Sequence, residues 1–568
     1  MSEVQICFPR LNNFWNDSGV LGIYRCIKGD VHADIQHGDN ELYNHLGSEY
    51  SVTVDLERDG LKIGGEAKDV EAVLEGAYGR LVKRYYDVST QKQRDEKSSW
   101  NFYYDSKKDQ FATFPKRKAQ GIAALIFNKA PRPAGGQIRW KDKNQPGLLP
   151  DTYAHMQDRL DGFLEQHNLK PGPPAGMLLD EPNRVRPKVK VRVKEGTQKP
   201  APCFLCSQYS SSMEKVNQTI FPFITGDSGV RSFFNLTREV AQVCWRCAYV
   251  GKFVPVNGFF SQAGNRLHMF LPFAPDLLKM DEVYDTLSSI VDWEPNFWRN
   301  FESHIGGYFN HPREVGFSFL HRVYTHLARD RKDANQDGGY SELMDVVWSD
   351  APLSFALISA EQKGNTQMPT QVWLFDDVVY LFRLFQYVEK QKGAWKDIAH
   401  SMVDFTAQRN ENRSLERDRL LGSVLRKQSI LRQAEAFAYH INREGRQYFA
   451  PLFDFVINYE DILRKKGESM ETQAREAAVT LGRRIGSVIA KEGGKKGSLF
   501  ALRKCRTLPD FLSELNRLQF KWKIAVPPAS YEGQLDQTNF EEFRGFCMLA
   551  ALNSFNAGTA SIDEKGEQ

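Results

Sequence analysis

The chain has 568 residues, 41% of them hydrophobic and 26% charged, with a formal net charge of only +4. Such a length exceeds one hydrophobic core and sets a prior of roughly three or four domains. The composition excludes a disordered chain, and the near-balance of charge excludes a uniformly basic nucleic-acid coat, so binding of that kind must come from local patches.

Val4 to Phe8 reads as a strand, and Tyr50 to Leu56 alternates like a second. Val70 to Tyr85 has helical spacing through Val73, Leu74, Ala77, Leu81 and Val82. Asn101 to Phe114 alternates aromatic and polar residues around Asp105-Ser-Lys-Lys108, the pattern of a hairpin. Ile122 to Phe127 is a short apolar run that ends in the loop Ala130 to Gly136. Pro150 to His167 reads as a helix, and Pro171 to Gly176 is a Pro/Gly-rich break. After about residue 265 the pattern turns mainly helical, with an aromatic-rich stretch from Gln371 to Lys390. From residue 400 onward amphipathic helices follow one another. Glu471 to Lys491 puts Ala474, Ala478, Leu481, Ile485 and Val488 on one stripe. The next helix starts at Thr507, a candidate N-cap, with Asp510 at the positive end of its dipole and Leu512, Leu515 and Leu518 on its buried face. The small, polar tail after Asn556 is expected to fray.

The most specific signal lies mid-chain, where Cys203-Phe-Leu-Cys206 and Cys244-Trp-Arg-Cys247 pair four of the eight cysteines. Two CxxC pairs supply the four thiolates of a tetrahedral zinc site. Zinc held by four protein sulfurs keeps no position for water or substrate, so one structural zinc per chain is expected and metal catalysis is not. Two redox dithiols, or four unrelated core thiols, are the competing readings of the same residues. Cys7, Cys26, Cys505 and Cys547 show no ligand spacing.

Three basic clusters are candidates for nucleic acid. Lys107, Lys108, Lys116, Arg117 and Lys118 interleave with Tyr103, Tyr104, Phe111 and Phe114, and Arg132, Arg139 and Lys141 flank the Gly135-Gly136 loop. Cations position a phosphate backbone, aromatics stack on bases, and arginine reads guanine bidentately. Arg184, Arg186, Lys188, Lys190, Arg192 and Lys194 alternate with valine or proline. An extended chain places them on one side, where phosphates would relieve their repulsion. Near the C-terminus, Arg483, Arg484, Lys495, Lys496, Arg503 and Lys504 cluster on polar helix faces and are candidates for tracking a single strand. Each cluster also reads as an ordinary solvated surface.

Other chemistries fail on their partners. Leu178 to Asn183 resembles the magnesium-binding strand end of an ATPase, but no GxxxxGK[ST] loop accompanies it. No H-x-E accompanies the cysteines, as a zinc deaminase requires. His32-Ala-Asp-Ile-Gln-His-Gly-Asp39 fits a turn better than a metal site. It leaves a zinc-stapled nuclease or RNA-processing enzyme as the alternative function. No stretch approaches the roughly 20 apolar residues of a membrane span, and Met1 to Ile6 shows no secretory signal pattern. Cysteines without a dense framework fit a reducing compartment, so a cytoplasmic location is expected.

The paired CxxC motifs, Asn13 to Gly22 and Asn101 to Lys108 resemble the CRISPR-associated CXXC-CXXC family, the large subunits of type I-B Cascade surveillance complexes. The resemblance implies a non-catalytic protein of antiviral defence. It would recognise the protospacer-adjacent motif in double-stranded target DNA, help open the strands into an R-loop, and recruit a helicase-nuclease. Its partners would be the guide RNA and the backbone, small and guide-end subunits, with no membrane. The terminal helices resemble the Cascade small subunit, which lines the displaced strand and is in related systems translated separately; Met402 and Met470 are candidate starts. The expected fold class is α+β: an N-terminal α/β domain over 1–195 carrying DNA-reading loops, a four-cysteine zinc module over 196–265, a mainly helical region over 266–400 and a helical bundle over 401–568.

Overall fold

The structure, a computed structural model, describes residues 3–29, 46–82, 102–113, 137–142, 144–171, 176–179, 189, 191–193, 199–216, 220, 242–263, 266–288, 311–333, 354–363, 366–376, 380–391, 393–444, 448–464, 472–528 and 531–566. It is a mixed α+β protein whose C-terminal region is helical, with the four paired cysteines together in its middle. The chain divides into two compact units, Met1–Phe301 with Ser341–Leu374, and Glu302–Tyr340 with Phe375–Gln568.

The first unit opens with strand β1 (Glu3–Pro9), which pairs antiparallel with β3 (Gly60–Glu66), itself paired with β2 (Thr53–Glu57). Ile6, Phe8, Leu61 and Ile63 face inward from this sheet. Helix α1 (Phe14–Lys28) starts where the Asn13 side chain accepts the N–H groups of Trp15 and Asn16, satisfying donors that the first turn would otherwise orphan. Helix α2 (Ala67–Leu81) buries Val70, Val73, Leu74, Ala77 and Leu81, the stripe its periodicity predicts.

A second sheet begins with the hairpin β4 (Phe102–Asp105) and β5 (Gln110–Thr113), found where aromatic alternation predicts it. β6 (Gln137–Arg139) and β7 (Gly176–Leu179) complete a sheet of order β5-β4-β7-β6, with β4 and β7 parallel. Pro150 to His167 holds a 3-10 turn, Asp151–Met156, followed by α3 (Gln157–Gln166). Met156, Leu160 and Leu164 from these two turns of chain meet Phe102, Tyr104, Ile138, Trp140 and Met177 of the sheet in one core.

The cysteine segment carries β8 (Ala201–Pro202), β9 (Tyr209–Ser210), β10 (Met213–Lys215), β11 (Gln242–Cys244) and helix α4 (Trp245–Phe253). It does not stand apart as a module over 196–265. Gly19 and Gly22 of α1 face α4 so closely that a Cβ on either would overlap the carbonyl oxygens of Val250 and Phe253. Trp15 Nε1 donates to Ile220 O at 3.0 Å, and Tyr249 Oη donates to Leu74 O at 2.5 Å. Phe8 stacks on Tyr249 at 6.1 Å between ring centroids. The stretch from Asn13 to Gly22 is thus a docking strip for the cysteine helix.

The region from 266 onward, expected to be mainly helical, also carries a long-stranded sheet. β12 (Phe259–Ala263), β13 (Arg266–Phe273), β14 (Ser354–Lys363) and β15 (Thr366–Phe375) run in that order. Helix α5 (Leu277–Ser288) follows β13. Between β13 and β14 in sequence lies α6 (Pro312–Asp333), which belongs to the second unit.

The second unit packs α6 with α7 (Tyr380–Lys390), α8 (Trp395–Ser401), α9 (Leu415–Leu425), α10 (Leu431–Glu444), α11 (Ala450–Arg464), α12 (Thr472–Lys491), α13 (Gly497–Lys504), α14 (Leu508–Trp522) and α15 (Phe540–Gly566). Its core contains the rings of Phe317, Phe385, Trp395 and Phe455, with successive centroids 5.2–5.3 Å apart. Beside them lies a fully buried ion pair, Arg417 Nε to Glu314 Oε2 at 2.8 Å, with Ser414 Oγ and the His311 N–H donating to the other Glu314 oxygen. Asp418 caps α6 by accepting the N–H groups of Arg313 and Glu314. Gly482 and Gly486 let α12 touch the backbone of α15 at Cys547 and Ala551. The helix α15 continues to Gly566, past the expected fraying point at Asn556. Among the described residues no helix is long and apolar enough to cross a membrane.

Candidate metal centre

The first cysteine pair sits in the loop of the β8–β9 hairpin. Cys203 N–H donates to Gln208 O and Ser207 N–H to Cys203 O, each at 2.9 Å, and Ser207 takes a left-handed conformation with φ 59°. This turn brings the sulfurs of Cys203 and Cys206 to the same side. The second pair bridges strand and helix: Cys244 ends β11 and is the N-cap of α4, and Cys247 lies in that helix's first turn. Antiparallel pairing sets Cys244 opposite Met213, and Phe204 N–H donates to Gln242 O at 3.0 Å, tying the knuckle to the strand.

The result is a compact sulfur cluster. All four Sγ atoms lie within 4.8 Å of one another, and Cys206 Sγ is 3.8 Å from Cys244 Sγ. Cys203, Cys244 and Cys247 are buried and Cys206 is half-buried. The four could hold one metal ion. Val216, Ile220, Val243 and Ala248 pack around them and help shield the three buried cysteines from water. The Cys244 N–H donates to Cys203 Sγ at 3.2 Å, and the positive end of the α4 dipole lies at the cluster, both of which favour a charged sulfur. Hydrogen bonds from Cys244 and Cys247 hold the Cys203 thiol far below its usual range. The reciprocal contact with Cys203 pushes Cys244 up to about 11, and Cys247 is driven higher still by Cys203 and Cys244. One proton-poor sulfur shared by its neighbours is the arrangement a cation would replace. Arg246 braces the rim, donating to Gln208 Oε1 at 3.1 Å and to Cys7 O at 3.4 Å.

The basic candidates are not brought into one place. Lys107 and Lys108 are exposed at the tip of the β4–β5 hairpin, where Asp105 Oδ1 accepts both of their N–H groups at 3.1 and 3.2 Å. Sequence reasoning missed the brace beneath them: Asp109, with φ 46°, accepts the Tyr104 hydroxyl at 2.5 Å and Arg159 of α3 at 3.2 Å. The Tyr104 hydrogen bond, then Arg159, holds the Asp109 carboxyl below its ordinary range. Arg139 is exposed on β6, and Lys141 is paired with Asp151 at 2.5 Å. Arg192 is exposed beside buried Val191, and the described residues 191–193 belong to no strand; Val193 N–H donates to Glu71 Oε1 at 2.9 Å. Lys116, Arg117, Lys118, Arg132, Arg184, Arg186, Lys188 and Lys190 lie outside the described residues, as does the turn from His32 to Asp39.

In the second unit Arg483, Arg484, Lys495 and Lys504 are exposed. Lys496 and Arg503, expected on a displaced strand, serve the fold instead. Lys496 Nζ donates to Asn442 O at 3.2 Å. Arg503 forms a bidentate pair with Glu435 at 2.5 and 3.0 Å and lies over the Tyr439 ring at 4.0 Å.

Compared with protein-family models and with curated proteins, the chain matches none.

Proposed function

We propose that this chain is a zinc-stapled, non-catalytic DNA-binding scaffold, the large subunit of a type I-B Cascade surveillance complex. The observation that carries the reading is the closed sulfur set. Zinc–sulfur bonds of about 2.3 Å in a tetrahedron put the sulfurs about 3.8 Å apart, the separation of Cys206 and Cys244. Four protein thiolates fill the coordination shell and leave no reactive position. Thiol exchange needs an accessible sulfur, and three of these four are buried. The same quartet is the most specific element of the resemblance to the CXXC-CXXC family.

In such a complex, guide pairing reads sequence while the protein reads a short flanking motif and backbone shape. The braced tip bearing Lys107 and Lys108, with Arg139 and Arg192, would supply the phosphate contacts. The helicase-nuclease would perform the cleavage, so the chain itself hydrolyses nothing.

The test is to assemble the chain with guide RNA and backbone subunits and to titrate target duplexes that differ only in the flanking motif. Flank-dependent affinity, falling steeply with salt, is expected. Equal affinity for every flank, or cleavage by the isolated chain, overturns the proposal.

A further inference from the structure

Cys206 differs from the other three sulfur donors in its access to solvent. Cys203, Cys244 and Cys247 are buried, whereas Cys206 is half-buried. It sits in the loop of the β8–β9 hairpin, where Phe204 is 46% exposed and Ser207, Gln208 and Tyr209 are exposed as well. The knuckle therefore presents this one sulfur to a small solute and keeps the other three covered. One of the covered sulfurs is within easy reach, since Cys244 Sγ lies 3.8 Å from Cys206 Sγ. Cys203 is less free to react: it accepts the Cys244 N–H at 3.2 Å, a bond that draws charge from its sulfur. Cys244 is also the last residue of β11 and the N-cap of α4. A bond between Cys206 and Cys244 would thus tie the knuckle to the start of the helix.

We infer that the sulfur cluster is a reversible oxidation site, in which Cys206 reacts first with hydrogen peroxide and Cys244 then closes a disulfide that opens the metal site. The Cys206 thiolate attacks one peroxide oxygen. An S–O bond forms as the O–O bond breaks, and the departing hydroxide takes a proton to become water. The Cys244 thiolate next attacks the sulfenic sulfur of Cys206. The S–S bond forms, the S–O bond breaks, and a second hydroxide leaves and is protonated to water. Two sulfurs are oxidised and one peroxide is reduced. Tying two of the four donors to each other leaves too few to hold a cation, and Cys203 and Cys247 then take up protons from solvent. The effect reaches beyond the cluster. α4 packs against Gly19 and Gly22 of α1, and its Tyr249 donates to Leu74 O of α2. Oxidation at Cys206 would therefore loosen a helix that two others lean on. The inference rests on the reading of the quartet as a metal site and is independent of the Cascade assignment.

The test treats the metal-loaded full chain with graded hydrogen peroxide. A chromogenic chelator reads released metal, and alkylation with peptide mass spectrometry reads the sulfurs. One metal ion released and one Cys206–Cys244 disulfide formed per chain are expected, with Cys203 and Cys247 alkylated. Dimedone present during the reaction should label Cys206 as the sulfenic acid. A dithiol reductant with added zinc should restore the starting state. Cys206→His keeps four donors and removes the oxidisable sulfur from the exposed position, so it should hold its metal at a peroxide dose that strips the native chain. If that variant does not fold, the mapping on the native chain decides alone. Metal retained until the chain unfolds, a first adduct on a buried cysteine, or a disulfide within either CxxC pair overturns the inference and leaves the metal site standing. A native chain that binds no metal sinks the metal reading and this inference together.

Discussion

Cys244 carries three duties at once: sulfur donor, last residue of β11 and N-cap of α4. Cys244→Ser removes a thiolate and leaves three ligands. By elemental assay we expect one metal ion per native chain and none in the purified variant, which should also become protease-sensitive between residues 196 and 265. Structural zinc contributes about 10–16 kcal/mol in small domains, more than the whole stability of most folds. Acid should act in the same direction. Protons compete with the metal for sulfur, so release to a chromogenic chelator should rise as pH falls. A second buried charge system gives a contrasting expectation. Arg417 and Glu314 are both wholly buried. Arg417→Met strands the carboxylate and should cost about 3–5 kcal/mol in urea unfolding, whereas removing both charges with Glu314→Met/Arg417→Met should recover most of that loss.

At the level of elements, close approach is the controlling feature. Gly22 of α1 and Gly486 of α12 face backbone carbonyls of the helices they cross. Gly22→Val should separate α1 from α4 and cost at least about 1–3 kcal/mol by overpacking; a circular-dichroism melt measures it, and an unchanged midpoint refutes the contact. How much of this was legible depended on period. The stripe of α2, the β4–β5 hairpin and the Thr507 cap stand in the residues, because one face is wet and the other dry. Phe511, not Leu512, completes the buried face of α14, and Ile489, not Val488, completes that of α12. β13 was invisible for the opposite reason. Leu267 through Pro272 are all buried, so no alternation marks the strand and the run reads equally as helix. The cysteine quartet was legible by spacing alone. Its dependence on Gly19, Gly22 and Trp15 was not, since those contacts join segments more than 200 residues apart.

For the whole molecule, the basic patches divide into cations that face solvent and cations spent on the fold. Lys107→Glu with Lys108→Glu should weaken target-DNA binding by the assembled complex and lower the salt slope by about 2, while assembly with guide RNA proceeds. An unchanged slope would clear the hairpin of phosphate contact. Arg503 and Lys496 should instead matter to stability, a distinction that charge in the sequence does not make. Nor does sequence show that α6, placed between β13 and β14, belongs with helices that come after residue 375.

That interleaving bears on how a ribosome could make two products from one message. Initiation at Met402 would yield a polypeptide carrying Arg417 and Asp418 but neither Glu314 nor the α6 terminus that these residues serve. Its guanidinium would be born without the carboxylate that neutralises it. Initiation at Met470 discards both charges together and keeps α12 face to face with α15. It also parts Arg475, buried in α12, from Asp461 of α11, so each candidate start leaves the shorter product a guanidinium without its carboxylate.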